Sequence, residues 1–389
     1  MLNSKIDEAE IANWLRETDE EKLAELFHAA DRLRRDRVGD AVWFRGLLEI
    51  SNYCRRNCLY CGVRASRTIA RYRMTREEIL DGASFAASRG FGTLVLQAGE
   101  DLALDADFVA ELVAEIKGRF ELAITLSLGE RSDSEWELWK RAGADRYLLR
   151  FETSNPELYR AIHPSADENE PADRIALLKR LREIGYEIGS GVMIGIPGQT
   201  FRDLARDLAL FRELDLDMIG CGAYIPHRST PLGRLEKRDG LWKTIPLPDD
   251  APKSEREIPL PSNKQFVYPA TSEQVPNDLE TALKTVALAR VLCPDANIPS
   301  TTALATLDAK RGRKGGLERG ANVVMPNLTP TKYRSLYEIY PNKSGTTESA
   351  EKTLQTALDQ IAEIGRFPGK GSGASPRFLE RSSGATRWR

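Results

Sequence analysis

Residues 93–151, TLVLQAGEDLALDADFVAELVAEIKGRFELAITLSLGERSDSEWELWKRAGADRYLLRF, decide the fold. Thr93–Gln97, Ala123–Ser127 and Arg146–Phe151 are short apolar runs that read as strands. Between them, about Phe108–Phe120 and Asp133–Ala142 carry apolar residues at helical spacing. Apolar strands alternating with amphipathic helices predict a parallel sheet covered on both faces. The rhythm extends outward in both directions. Phe44–Ile50 reads as a strand and Thr75–Arg89 as the helix after it. Asp173–Ile184 leads to Glu187–Ile194, and Phe201–Leu214 leads to Met218–Tyr224. Strands near Asn297–Ser300 and Asn322–Met325 bring the count to eight. Eight such units predict a closed (β/α)8 TIM-type barrel rather than an open Rossmann sheet.

Around this barrel, residues 42–345, the sequence predicts an N-terminal helical extension over 1–41 and a C-terminal helix and tail over 346–389. An insertion at 235–276 holds seven prolines (Pro246, Pro248, Pro252, Pro259, Pro261, Pro269, Pro276) and many charges. It follows the sixth strand, where an excursion of this length suits a lid or a docking surface. Gly369–Arg389 is rich in Gly, Ser and Arg and reads as a loosely held tail. The chain has 389 residues, 41% of them hydrophobic, with 56 basic and 58 acidic residues for a net charge of −2. That balance gives no electrostatic case for nucleic acid or an anionic membrane as partner. No stretch of eighteen apolar residues is present, and Met1–Glu21 lacks the apolar core of a secretory signal, so a cytoplasmic protein is expected.

Chemistry concentrates after the first strand, in Cys54-Arg55-Arg56-Asn57-Cys58-Leu59-Tyr60-Cys61. This C-x3-C-x2-C pattern has an aromatic residue before the last cysteine. Three thiolates so close can bind three corners of a cuboidal iron–sulfur cluster, and they leave the fourth iron open to an exchangeable ligand. A structural zinc site wants four ligands, usually as two C-x2-C pairs, and no second pair or nearby histidine exists. A three-cysteine catalytic zinc site stays open. Cys221, in a strand pattern, and Cys293, at a helix end, read as small buried residues.

Other candidates follow the later strands, where barrel active sites collect. Gly99-Glu100-Asp101 is either an ordinary turn or a site for a ligand's ammonium group. Thr125 and Ser127 offer hydroxyls toward the same face. Arg150 and Glu152 are either a plain salt bridge or a clamp for a carboxylate and an amine. The glycines and proline of Gly189–Thr200 suit backbone packed against a flat ligand. Tyr333, Tyr337 and Tyr340 are either one packing face of a helix or substrate contacts.

The cysteine motif, the Gly99-Glu100-Asp101 turn and the glycine-rich end of the fifth strand resemble the radical S-adenosylmethionine (SAM) superfamily, in its biotin-synthase-like branch. Longer strings closely resemble the HydE-type maturases of the FeFe-hydrogenase H-cluster. These are LQAGED at 96–101, TLSLGE at 125–130, AGADRYLLR at 142–150, IPGQT at 196–200, Ile225-Pro226-His227 with Thr230-Pro231-Leu232, and GANVVMPN at 320–327. The resemblance covers roughly Arg45–Leu232 and Asp278–Gly369. It implies that Cys54, Cys58 and Cys61 hold one 4Fe–4S cluster, the catalytic group. SAM would be bound by Tyr60, by the Gly99–Asp101 turn at its amino group, by Glu152 and Arg174 at its methionine end, and by Met193 beside its adenosyl part. Thr125, Arg150, Thr301, Thr302, Tyr337 and Tyr340 would line the substrate cavity. The implied substrate is a small molecule, a cysteine-bound iron carbonyl cyanide species attacked at sulfur, and other hydrogenase maturases are implied partners. Reductive SAM cleavage needs a low-potential electron, which points to a flavodoxin or ferredoxin as donor.

Many relatives carry a second cluster near the C-terminus, but the matching stretch here, Lys343–Ala350, has no cysteine, so one cluster is expected. This departure and the insertion keep a second reading open: a radical SAM paralogue acting on another small amino-acid-like or thiol substrate, as methylornithine synthase or biotin synthase does. A non-catalytic cluster carrier is the third reading, and the SAM-binding candidates weigh against it.

Overall fold

The computed structural model describes residues 4–164, 172–238, 241–245 and 273–383. Six parallel strands form most of the barrel: β1 (Ala41–Ser51), β2 (Thr93–Ala98), β3 (Ala123–Ser127), β4 (Arg146–Leu148), β5 (Glu187–Ile194) and β6 (Met218–Ala223). The last two staves are short. Single parallel bridges join Met218 to Asn297 and Pro299 to Val323. Val323–Val324 then pairs with β1 at Trp43–Phe44, which completes the ring. The eighth stave is therefore shorter than Asn322–Met325, and the seventh is held by isolated bridges rather than a ladder.

Two helices, α1 (Glu8–Arg16) and α2 (Glu20–Val38), precede the barrel. The layer around it contains α3 (Arg76–Ser88), α4 (Ala106–Arg119), α5 (Asp133–Arg141), α6 (Pro156–Ile162), α7 (Arg174–Ile184) and α8 (Phe201–Glu213), followed by Leu279–Leu292. Local chemistry sets several starts. Thr75 with Glu78, Ser132 with Glu135, and Thr200 with Asp203 each form a reciprocal capping box. No helix among the described residues is long and apolar enough to cross a membrane.

Strand alternation decides what faces inward. On β2 and β3, Leu94, Leu96, Ile124 and Leu126 are fully buried and belong to the core between strands and helices. Val95, Gln97, Thr125 and Ser127 face an interior cavity instead. The cavity is roofed by the loops at the strands' C-terminal ends, and its wall is polar where those ends converge.

The composition of Gly369–Arg389 predicts a loosely held tail, whereas the structure seats its described part, through Ser383, against the floor of the barrel. The buried Arg146–Glu187 ion pair needs further partners. The Ser372 carbonyl accepts from Arg146 Nη2 at 3.0 Å and from Thr93 Oγ1 at 2.9 Å, and the Ser375 N–H donates to Glu187 Oε1 at 2.9 Å. Small residues permit this approach: a Cβ on Gly92 would lie 1.6 Å from the Gly371 carbonyl oxygen. Within the 235–276 insertion, Leu235–Arg238 and Leu241–Thr244 form an antiparallel hairpin, and Gln274 bridges to Thr200. The expected lid or docking role falls mostly on residues outside the described ones.

Candidate active site

The cysteine loop leaves β1 at a register shift between Glu49 and Ser51 and packs onto the end of β2. Gly99 makes that packing possible, because a Cβ there would sit 2.1 Å from the Tyr53 carbonyl oxygen and 2.8 Å from Cys54 Cβ. The Glu100 N–H donates to Cys54 Sγ at 3.4 Å, and the Arg55 N–H donates to the Glu100 carbonyl at 3.0 Å. On the other side, the Leu59 N–H donates to the Ile162 carbonyl at 2.9 Å, and the Leu232 N–H to the Leu59 carbonyl at 2.9 Å. Leu59, Ile162, Met193, Ile196 and Leu232 form one small apolar cluster beneath the loop.

Burial raises all three thiols, Cys58 to about 12, and the neighbouring thiols push Cys58 and Cys61 further in the same direction. All three can ionise together only with positive charge among them. Arg64 lies beside them, buried, with Nε and Nη1 lacking hydrogen-bond partners. An anionic group of cysteine-ligated iron would satisfy it. Among the described residues, no three Cys, His, Asp or Glu side chains converge tightly enough to hold a single metal ion. Cysteines that ligate separate corners of a cubane need not meet at one point.

A cavity of about 390 Å³ fills the upper barrel, and Tyr60 and Cys61 form part of its wall. It gathers Thr125, Arg150, Glu152, Arg174, Met193, Thr301, Thr302, Tyr337 and Tyr340 along that same wall. Gly99, Glu100 and Asp101 lie instead behind the cysteine loop. Their carboxylates are already committed: Glu100 pairs with Arg55 at 2.5 Å and Arg56 at 2.9 Å, and Asp101 with Arg73 at 2.6 Å and the Ser51 hydroxyl at 2.6 Å. What the turn can still offer a ligand is backbone.

Glu152 adopts a left-handed conformation, φ +63°, which is costly for a non-glycine residue. Its backbone remains tied to β5, with its N–H donating to the Gly191 carbonyl and its carbonyl accepting from the Met193 N–H, both at 3.1 Å. The turn explains why β4 is shorter than the Arg146–Phe151 run suggests. It also aims the carboxylate into the cavity, 2.9 Å from Arg150 Nη2. The pair is a salt bridge, and it stands in the cavity wall. Arg174 Nε donates to Glu130 Oε1 at 2.9 Å, and its Nη1 to the Arg150 carbonyl at 2.9 Å. Glu130 also binds Arg56, so it links the cysteine loop to the β4 end.

The Tyr60 hydroxyl lies 3.0 Å from His163 Nε2, and His163 Nδ1 lies 3.0 Å from the Tyr159 carbonyl. Burial keeps the imidazole neutral. A carbonyl only accepts, so Nδ1 carries the proton and Tyr60 donates to Nε2. The Thr125 hydroxyl is buried without a partner, as is that of Tyr224, and both residues line the cavity. The three tyrosines do not share a helical face. Tyr333 stacks on Tyr72 at 4.3 Å, while Tyr337 and Tyr340 reach the cavity. Cys221 and Cys293 are buried in the apolar core.

Glu130, His163, Tyr224 and the buried Glu49–Lys343 pair were not singled out by sequence reasoning. Arg45 was missed as well. It lines the cavity, is 5% exposed, and is favoured by the charge of Glu187 without forming a close ion pair among the described residues. The absence of cysteine from Lys343–Ala350 was the one available signal that this segment differs in role.

The model of the radical SAM superfamily matches residues 48–211, a span holding the cysteine loop, Glu152, Arg174 and Met193. The [FeFe] hydrogenase maturase subunit HydE of Thermotoga maritima is 42% identical over 357 residues, covering 91% of this chain and 90% of that protein. The 3-methylornithine synthase of Methanosarcina acetivorans is 24% identical over 351 residues, covering 90% of this chain and 86% of the relative. The solved structure of methylornithine synthase (PylB) superimposes with a TM-score of 0.73 at 21% identity, with 97% of each chain covered, which establishes the shared barrel fold. Radical SAM enzymes use a 4Fe–4S cluster and SAM, and the donor set described above fits both. The chain belongs to the HydE family of [FeFe] hydrogenase maturases, within the radical SAM superfamily.

Proposed function

We propose that Cys54, Cys58 and Cys61 hold the cluster, and that SAM lies along the cavity wall between Cys61 and Met193. Glu152 and Arg174 would take its methionine end, and Tyr60 and Met193 its adenosyl part. The observation that carries this reading is that Cys61, Tyr60, Glu152, Arg174 and Met193 border one cavity although they come from three different strand ends, those of β1, β4 and β5. When bound, the pair supplies a 5′-deoxyadenosyl radical once a low-potential electron arrives.

The chain's own residues then bind and orient the substrate. Arg150 is held by Glu152 and by the Val192 carbonyl at 2.6 Å, so its guanidinium is fixed before any ligand enters. The unpartnered Thr125 hydroxyl is a ready hydrogen-bonding group, with Thr301, Thr302, Tyr337 and Tyr340 around the same space. Arg45 adds a further cation to the lining. This lining suits a small anionic substrate with a carboxylate and a sulfur, and a cysteine-bound iron carbonyl cyanide species on the way to the H-cluster fits that description. Other hydrogenase maturases would supply the substrate and take the product. A flavodoxin or ferredoxin would supply the electron.

The test is anaerobic reconstitution followed by dithionite, SAM and a synthetic cysteine–iron carbonyl cyanide compound. Expected are four irons per chain, 5′-deoxyadenosine, and consumption of the iron compound. All three are lost when Cys54, Cys58 and Cys61 become serine. Stoichiometric zinc with no cubane spectrum would refute the reading.

A further inference from the structure

The two edges of the cysteine loop face different surroundings. Cys61 and Tyr60 border the cavity, whereas neither Cys54 nor Tyr53 belongs to its wall. Cys54 lies at the outer edge, against Gly99 and the Glu100 N–H. The chain immediately around it is exposed. Tyr53 is 37% exposed and Leu102, just past the Glu100-Asp101 pair, is 53% exposed, two of the few large apolar side chains that reach solvent.

The charges there are sorted by depth. The carboxylates of Glu100 and Asp101 point inward and are almost fully covered, while Arg55 and Arg73, which pair with them, keep 43% and 38% of their side chains in solvent. The Arg73 guanidinium also lies over the Tyr53 ring, 3.8 Å from its centre, and ties that ring to Asp101 and so to the Leu102 turn. The surface above Cys54 is thus a small apolar centre flanked by guanidinium groups, with their counter-charges hidden beneath. A partner meets the cations first.

We infer that this patch, Tyr53, Arg55, Arg73 and Leu102, receives a small acidic one-electron carrier protein. The inference rests on the reading above that the cysteines hold a cluster fed by such a carrier. The arrangement divides the loop's work: one electron enters over Cys54, and SAM and substrate meet the cluster on the Cys61 side, without competing for one opening. The carrier returns oxidised by one electron and leaves no atoms behind. A few exposed contacts suit a brief encounter, since electron-transfer complexes are small, polar and sensitive to salt.

The test uses the reconstituted full-length chain with reduced flavodoxin as probe, and in parallel the cluster-free chain for binding alone. Leu102→Glu places an acid on the patch, Leu102→Lys a base, and Leu379→Glu an acid on an exposed leucine at the floor end of the barrel. Thermal unfolding checks that each variant folds. Leu102→Glu is expected to weaken flavodoxin binding at least tenfold at low salt. It should slow flavodoxin-driven 5′-deoxyadenosine formation in step, yet leave dithionite-driven formation unchanged. Leu102→Lys and Leu379→Glu should bind as the wild type does, and added salt should narrow the difference. If flavodoxin binds and drives cleavage but ignores Leu102→Glu, the patch is wrong and the electron-carrier reading stands. If neither flavodoxin nor an acidic ferredoxin binds the wild-type chain, while dithionite still supports cleavage, both fall.

Discussion

Replacing His163 with Phe keeps the ring in place but removes the imidazole nitrogen that accepts from the Tyr60 hydroxyl at 3.0 Å. The phenol is enclosed between His163 and the loop, with the two rings edge to face at 5.5 Å. A buried hydroxyl left without its partner costs about 1–3 kcal/mol. Tyr60→Phe removes the donor instead and leaves the Nε2 lone pair facing a ring edge, a comparable penalty. The double variant has neither polar group to satisfy, so its cost should be well below the sum of the two. Because Tyr60 sits between two cluster cysteines and borders the cavity, part of each single-variant penalty should fall on the loop geometry that binds SAM. Each single variant is therefore expected to lose about 1 kcal/mol or more of SAM affinity, at least fivefold in Kd. The assay is a double-mutant cycle, read by urea unfolding of the cluster-free chain and by SAM titration of the reconstituted enzyme. Additivity within about 0.3 kcal/mol in both readouts would show that the Tyr60–His163 contact does not hold the loop.

Three further outcomes follow from other parts of the molecule. Asp207 is buried, accepts from the Ser154 N–H at 2.5 Å and the Ser154 hydroxyl at 2.6 Å, and is pushed up to about 7 by burial with no cation described beside it. Its folded pKa exceeds its unfolded value, so the native state binds its proton more tightly and loses stability as pH rises from about 4 to 7. Unfolding free energies from urea titrations at pH 4.5 and 7.5 should differ by about 3 kcal/mol more in the wild type than in Asp207→Asn, and equal differences would remove Asp207 as the cause. Glu187→Leu strands the buried Arg146 charge and should cost about 3–5 kcal/mol of unfolding free energy. Iron binding at the opposite end of the barrel should survive, and a loss below 1 kcal/mol would mean that the Ser372 and Thr93 contacts alone can hold Arg146. Cys58→Ser should abolish cluster assembly, while Cys221→Ala and Cys293→Ala, both within the apolar core, should leave iron content unchanged. Iron retained by Cys58→Ser would refute the ligand assignment.

The sequence alone determined the barrel and the chemistry at its mouth, because both rest on local patterns. Apolar strand runs such as Leu94–Leu96 and Ile124–Leu126 and helical spacing are properties of neighbouring residues, and three cysteines in eight residues can meet without help from the rest of the chain. Tertiary structure decided whatever depends on partners distant in the chain. The left-handed turn at Glu152 exists because β5 holds its backbone on both sides. His163 matters only because α6 ends beneath a loop about a hundred residues earlier, and nothing in Ala161-Ile162-His163-Pro164 announces that neighbour. The fate of Gly369–Ser383 was hidden for the same reason. Gly, Ser and Arg compose a solvated tail when read alone, but they become a fitted floor when buried Arg146, Glu187 and Thr93 offer hydrogen bonds that no strand of the barrel supplies.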